Sequence, residues 1–173
     1  MRYTGSMLHI AALQAPDIEE IAAAFASLGW NKPAAQYERY VAEQSAGARI
    51  VLVCRLDDVF CGYVTINWQP DYPPFREAAI PEIQDFNVLP LSRRRGIGSR
   101  LMDEAEALVF VGSQKCGLGF GLHHDYGAAQ RLYVLRGYVP DGLGAMTHGR
   151  RVNWGDAVTI DDELVLYLVK TKS

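Results

Sequence analysis

The sequence predicts an α/β (α+β) fold in a single domain. Strand-like and helix-like apolar patterns alternate along the whole chain, which is the arrangement of a sheet covered by helices. Hydrophobic residues make up 49% of the 173 positions, enough for one full core but not for two, so residues 1–173 are expected to form one domain with its core over about 7–170. A single stretch, Glu82 to Val109, reads without interruption as strand, glycine-bearing loop and amphipathic helix.

In chain order, Met7–Leu13 has the pattern of a first strand. Pro16 and Asp17 open a helix to about Leu28, and Gly29 ends it; Pro33 opens a second helix to about Gln44, stopped by Ala46-Gly47. Arg49–Leu56 and Val59–Trp68 form an apolar hairpin turning at Asp57-Asp58. Gln69–Ala79, with three prolines, is a loop. Glu82–Val88 is a strand, stopped at Pro90 because proline has no N–H for a ladder. After Arg93–Ser99, apolar residues recur at helical spacing: Ile97, Leu101, Ala105, Leu108, Val109. Gly117–Leu122 is a glycine-rich strand, a pattern that marks close approach of a ligand or another backbone. Tyr126–Leu135 is a helix ended by Gly137-Tyr138, Val139–Gly142 is turn chemistry before further strand, Arg150–Asp156 is a loop, and Glu163–Lys170 is a last strand.

Composition excludes several classes. A net charge of −3 gives no basis for broad nucleic-acid binding, so the arginine run 93–95 is a local patch. Cys54, Cys61 and Cys116 are odd in number, with no C-x-x-C and no histidines at zinc spacing; they read as buried thiols in a reducing compartment, and no metal is expected. Met1–Ser6 has no apolar leader, and no run approaches a membrane span. The expectation is a cytoplasmic protein without membrane or nucleic-acid partners.

Strand, glycine loop and helix together make an anion site. The first helical turn offers unpaired N–H groups at the positive end of the dipole, and Gly96 and Gly98 let an anion come close. Three arginines at that end oppose the dipole, a conflict that an anionic ligand resolves. A P-loop is excluded, since the chain has no Gly-Lys pair; a dinucleotide fingerprint is excluded because Gly96-Ile97-Gly98-Ser99-Arg100-Leu101 lacks the third glycine. Arg93-Arg94-Arg95-Gly96-Ile97-Gly98 instead resembles the acyl-CoA signature [QR]-x-x-G-x-[GA] of the GNAT N-acetyltransferase superfamily, and Val88-Leu89-Pro90 resembles its lead-in. Ala129-Gln130-Arg131-Leu132-Tyr133-Val134-Leu135-Arg136-Gly137-Tyr138 resembles the family's A-x-x-[LF]-Y-x-x-x-G-[FY] segment. The likeness spans the chain and is strongest from Glu82 to Tyr138. One departure is Tyr126, where many members carry an asparagine that contacts the CoA arm, so that role is not carried over.

The resemblance implies a GNAT-like fold, a mixed and mostly antiparallel sheet flanked by helices, that opens beside Val88 for a pantetheine arm. It implies acetyl-CoA as co-substrate and acetyl transfer to a primary amine of a small molecule or peptide, by direct attack on the thioester in a ternary complex. Backbone N–H groups of Arg93, Arg94, Arg95, Gly96, Ile97, Gly98 and Ser99 would hold the pyrophosphate, with arginine side chains assisting. Backbone groups of Phe86, Asn87 and Val88 would hold the pantetheine and the oxyanion. Tyr133 matches the family's general acid; a core tyrosine is the alternative. Glu82 stands where some members carry a glutamate base. Asp85 is its competitor, on the opposite face by strand alternation, and a water chain is a third route. Trp30, Tyr37 and Tyr40 are candidates for acceptor contact or for core packing. Of His123 and His124 at most one faces a cleft, and Asp161-Asp162-Glu163 faces either a cationic amine or solvent. The resemblance is compatible with a homodimer. Two other readings stay open: a non-catalytic acyl-CoA-binding sensor on the same fold, and a nucleotide-phosphate binder on a different one.

Overall fold

The structure, a computed structural model of the chain, describes residues 7–172; the expectation that Met1–Ser6 forms no apolar leader falls on residues outside the described ones. In order the elements are β1 (Leu8–Ala12), α1 (Ile18–Ala26), α2 (Ala34–Ser45), β2 (Arg49–Leu56), β3 (Val59–Asn67), α3 (Pro73–Glu77), β4 (Glu82–Val88), α4 (Ile97–Gly112), β5 (Lys115–Gly121), α5 (Gly127–Leu135), β6 (Val139–Thr147), β7 (Arg150–Arg151) and β8 (Leu164–Thr171). The strands run in the order β1-β2-β3-β4-β5-β8-β6-β7. β4 and β5 are parallel, pairing Glu82↔Gly117 and Ile83↔Leu118, while β1–β2, β2–β3, β5–β8, β6–β8 and β6–β7 are antiparallel. This is the mixed, mostly antiparallel α/β architecture expected. The chain divides into two compact units: residues up to Trp68 with Gln84–Leu108, and Gln69–Ile83 with the residues from Val109 onward. β4 and α4 each pass from one unit to the other.

In the first unit, β3 is buried from Phe60 to Asn67 and β2 from Val51 to Cys54. Near-continuous apolar runs of this kind are what a strand needs when both its faces are covered. The hairpin turns at Asp57 and Asp58, both at positive φ (51° and 65°), the backbone that matches strand twist in a two-residue turn. A register shift between Cys54 and Arg55 leaves Cys61 as the extra residue of a bulge, its thiol donating to Cys54 O at 3.2 Å. All three cysteines are buried and none is in a disulfide, as their spacing suggested. Ile18, Ile21 and Phe25 of α1 and Tyr37 and Tyr40 of α2 face inward at helical spacing. Phe25 is the centre of an aromatic cluster, with ring centroids 5.6 Å from Trp30, 5.8 Å from Phe60 and 5.8 Å from Tyr63.

In the second unit, β5 pairs with β8 from Lys115↔Thr171 to Gly121↔Val165. Here the structure corrects the reading of the glycine strand as a close approach to ligand or backbone. A Cβ on Gly117 would stand 2.3 Å from the Phe75 ring, one on Gly119 2.9 Å from Tyr167, and one on Gly121 2.6 Å from Tyr126. The glycines alternate along one face of β5 and each accepts an aromatic ring. Phe75 comes from α3, a five-residue helix inside the stretch expected to be a loop; Pro73 and Pro74 open it, where the missing N–H costs nothing. β6 runs straight through the expected turn, because Gly142 and Gly144 at positive φ absorb a register shift between Pro140 and Ala145 as a bulge. The expected loop from Arg150 holds the two-residue strand β7. Gly117→Ala is expected to lower stability by about 1–3 kcal/mol, since the buried Phe75 ring has nowhere to retreat. A urea midpoint equal to that of the unsubstituted protein would show that the ring gives way freely. Among the described residues no helix is long and apolar enough to cross a membrane.

Candidate active site

The segment from β4 into α4 builds a tight, glycine-bearing turn. Pro90 ends the strand, Leu89 N–H donates to Cys61 O at 2.9 Å, and the chain turns through Arg94 and Gly96 at φ 57° and 77° before Ile97 enters the helix. The helical ladder begins with Arg100 N–H to Gly96 O at 3.1 Å, so the amides ahead of it lie at the positive helix end. Arg93, Arg94, Arg95 and Gly96 are exposed, whereas Ile97 is buried and anchors the turn. Gly98 is where the helix start rests on β4: a Cβ there would stand 3.0 Å from the Phe86 ring. Arg93 braces the turn, its Nε donating to Val88 O at 3.1 Å and its guanidinium lying 6.0 Å from the Trp30 ring centroid. The side chains of Arg94 and Arg95 project into solvent beside it.

Asp85 lies in the middle of β4 at φ 45°, a left-handed backbone inside a strand that breaks the extended alternation there. Its carboxylate gathers five donors. Lys32 Nζ (2.5 Å) and Asn87 Nδ2 (2.9 Å) donate to Oδ1; Gln36 Nε2 (2.8 Å), Tyr40 Oη (2.9 Å) and Tyr63 Oη (2.5 Å) donate to Oδ2. Burial pushes the Asp85 carboxyl up, but the Lys32 ammonium and these hydrogen bonds outweigh it and hold it below the usual carboxylate value. Burial, and then the Asp85 charge, push the Tyr40 phenol up to about 12 and Tyr63 further still, so both stay donors. Two carboxylate oxygens offer about four lone-pair sites, and five donors fill them. In this resting arrangement Asp85 has no capacity left to accept a proton. Of the aromatics singled out in the sequence, Tyr37 and Tyr40 are buried and pack edge-on, centroids 6.1 Å apart, while Trp30 is half-exposed. Lys32, Gln36 and Tyr63 escaped the sequence reading. Gln36 and Tyr40 share a helix face at i, i+4, the one sign that was available.

Glu82 and Tyr133 belong to the second unit, and both are buried. Tyr133 packs with Phe120 and Tyr138, ring centroids 6.3 and 6.1 Å away. Burial, and then the neighbouring Tyr126, push its phenol well above the usual tyrosine value, so it keeps its proton at any working pH. Tyr126 lays its ring on Gly121 and donates to Asp162 Oδ1 at 3.3 Å. His123 Nε2 lies 3.0 Å from the same oxygen, and the exposed His124 pairs with Asp125 at 2.9 Å. His123, His124 and Asp125 bring potential ligand atoms within 4.8 Å of one another, a grouping that their adjacency in sequence did not suggest. The structure thus gathers Asp85, Phe86, Asn87, Val88 and the whole 93–99 turn in the first unit.

The family model described as Acetyltransferase (GNAT) family matches residues 15–138. A comparison with curated protein sequences finds no match. Solved structures are similar over nearly the whole chain. An N-acetyltransferase from Staphylococcus aureus Mu50 is 14% identical with TM-score 0.72, covering 96% of this chain and 99% of its own. Ribosomal-protein-alanine N-acetyltransferase from Brucella melitensis is 16% identical with TM-score 0.69, covering 95% and 99%. The paia N-acetyltransferase from Thermoplasma acidophilum, in complex with coenzyme A, is 13% identical with TM-score 0.66, covering 96% and 99%. At these identities the likeness is one of fold.

Proposed function

This chain belongs to the acetyltransferase (GNAT) family, and on that footing we propose that it moves an acetyl group from acetyl-CoA directly to a primary amine of a small molecule or peptide within a ternary complex. The observation that carries the reading is the turn from Arg93 to Ser99, exposed from Arg93 to Gly96, left-handed at Arg94 and Gly96 and opening α4 after β4. Amides at a helix start together with arginines suit a pyrophosphate. A similar fold solved with coenzyme A, and one whose name gives a protein alanine as its acceptor, support the same ligand and the same class of reaction.

Acyl transfer sets four demands. The diphosphate needs donors, assigned to the amides of Arg93–Ser99. The pantetheine and the thioester oxygen, which gains negative charge, need fixed N–H groups, assigned to the backbone of Phe86–Val88. The attacking amine must shed a proton, since an alkylamine has a pKa of about 10.4 and arrives charged. Glu82 takes that proton, directly or through water; Asp85, with its lone pairs filled and its carboxyl held acidic, is the weaker candidate. The leaving thiolate needs a donor, assigned to Tyr133. A free thiol has a pKa of about 8.5, below that of a raised phenol, so Tyr133 supplies a hydrogen bond first and the proton as the thiolate is desolvated.

Tyr133→Phe should then lower kcat about 10- to 100-fold with little change in KM for acetyl-CoA, the loss of one hydrogen bond to a developing anion. A kcat close to that of the unsubstituted enzyme would move the donor role elsewhere. The reading as a whole is tested by thiol release from acetyl-CoA across a panel of primary amines. Release with at least one amine is expected; tight coenzyme A binding without release for any amine would make the protein a non-catalytic acyl-CoA module.

A further inference from the structure

We propose that Asp85 heads a recognition site for the ammonium group of the amine acceptor, and that Lys32 occupies this site in the resting protein. The inference deepens the acetyl-transfer reading and rests on it for the identity of the ligand as acceptor.

The Lys32 ammonium sits in surroundings built for a primary alkylammonium. Asp85 Oδ1 is 2.5 Å away, and the faces of Phe25 and Tyr63 lie 5.8 and 5.7 Å from Nζ, both within cation–π range. The pair is reachable: the Lys32 and Asp85 side chains keep 18% and 17% of their exposure. Beside Lys32 lies a shallow, open depression lined by Ala22, Ala23 and Ala26 on one face of α1, by Trp30 and Asn31, and by Lys32 itself. Alanine methyls with an indole face suit an apolar stem. Asp85 is one residue from Phe86, the start of the stretch assigned to the thioester.

Because Asp85 already accepts five hydrogen bonds, an incoming cation can bind only by replacing a donor. Gln36 and Tyr40 are fixed on α2 and Tyr63 on β3, while Lys32 stands in the segment between α1 and α2, outside any helix or strand. Lys32 is also the one donor chemically equivalent to the ligand. One primary ammonium exchanges for another with the carboxylate and both rings kept, so the exchange is close to balanced and Lys32 lowers the apparent affinity by the fraction of time it is seated. The ligand class is therefore a primary alkylammonium with an apolar stem. Its charged form is what the site holds, and release to a base precedes attack.

The probe is n-butylammonium chloride, with n-butanol as the uncharged control. Lys32→Met keeps the apolar stem and removes the charge, and should bind n-butylammonium about tenfold more tightly than the unsubstituted protein by calorimetry. Lys32→Met combined with Asp85→Asn should lose that gain, and n-butanol should bind none of the three. Equal affinity in Lys32→Met and the unsubstituted protein, or a gain retained in the double variant, overturns the proposal. Should Lys32→Met fail to fold, the unsubstituted protein gives the answer alone. In a 15N-labelled sample, n-butylammonium should shift the Lys32 Nζ resonance and n-butanol should not; an unmoved resonance at saturation overturns the proposal. Thiol release from acetyl-CoA is read separately. Acetyl transfer without ammonium binding at Asp85 removes this inference and leaves the enzyme reading; ammonium binding without any transfer supports the site and removes its role in acetylation.

Discussion

Asp85→Ala is expected to cost the fold about 3–5 kcal/mol, on the order of 10 °C in melting temperature for a chain of this length. The size follows from what remains behind. Lys32, Gln36, Tyr40, Tyr63 and Asn87 all lose one acceptor at once, and Tyr63 is fully buried with no water to turn to. Lys32 is left as a half-buried cation between two rings. Alanine at φ 45° adds backbone strain that aspartate tolerates better and glycine avoids. Asp85→Gly should therefore recover part of the loss, and a melt of Asp85→Ala within 2–3 °C of the unsubstituted protein would mean that the five donors find other partners, a margin of about 1 kcal/mol. The pH dependence has a definite sign. The folded carboxyl titrates below its unfolded value of about 3.9. Its stabilisation is thus present above that pH and is lost as pH falls through the lower folded value. The acid limb of the stability curve should be steeper for the unsubstituted protein than for Asp85→Ala.

The sequence made the architecture legible wherever periodicity is strong. β2 and β3 are unbroken apolar runs, β4 is bounded by Pro90, and α4 repeats Ile97, Leu101, Ala105 and Val109, all buried. The signature turn was legible too, because glycine and proline chemistry is local. What stayed hidden is what depends on distant partners. α3 is one turn long, too short for a period to register, and exists to seat Phe75 on Gly117, a contact across more than forty positions. The glycines of β5 announced close approach but not that rings would fill it. Strand alternation set Asp85 opposite Glu82, yet alternation presumes extended backbone, and Asp85 departs from it. Apart from Asn87 on β4 itself, its partners lie on α2, on β3 and in the segment before α2, so composition named some of the residues and could not join them.

Glu82→Gln should reduce kcat/KM for the acceptor by about 10²–10⁴-fold at neutral pH, the usual contribution of a positioned base. Glutamine keeps the shape and the hydrogen-bonding oxygen of a buried side chain, so the melting temperature should change far less than activity does. The deficit should also depend on pH in a way that separates a base from a structural carboxylate. An alkylamine with a pKa near 10.4 is about one part in a thousand neutral at pH 7.4, and each added pH unit raises that fraction tenfold. A variant without its base depends on this fraction directly, so its activity should climb with pH and the gap to the unsubstituted enzyme should narrow by pH 9. A gap that stays constant from pH 7 to 9, with acetyl-CoA saturating, would mean that Glu82 holds the strand rather than the proton. The proton would then leave through water, since Asp85 has its lone pairs committed to Lys32, Gln36, Tyr40, Tyr63 and Asn87.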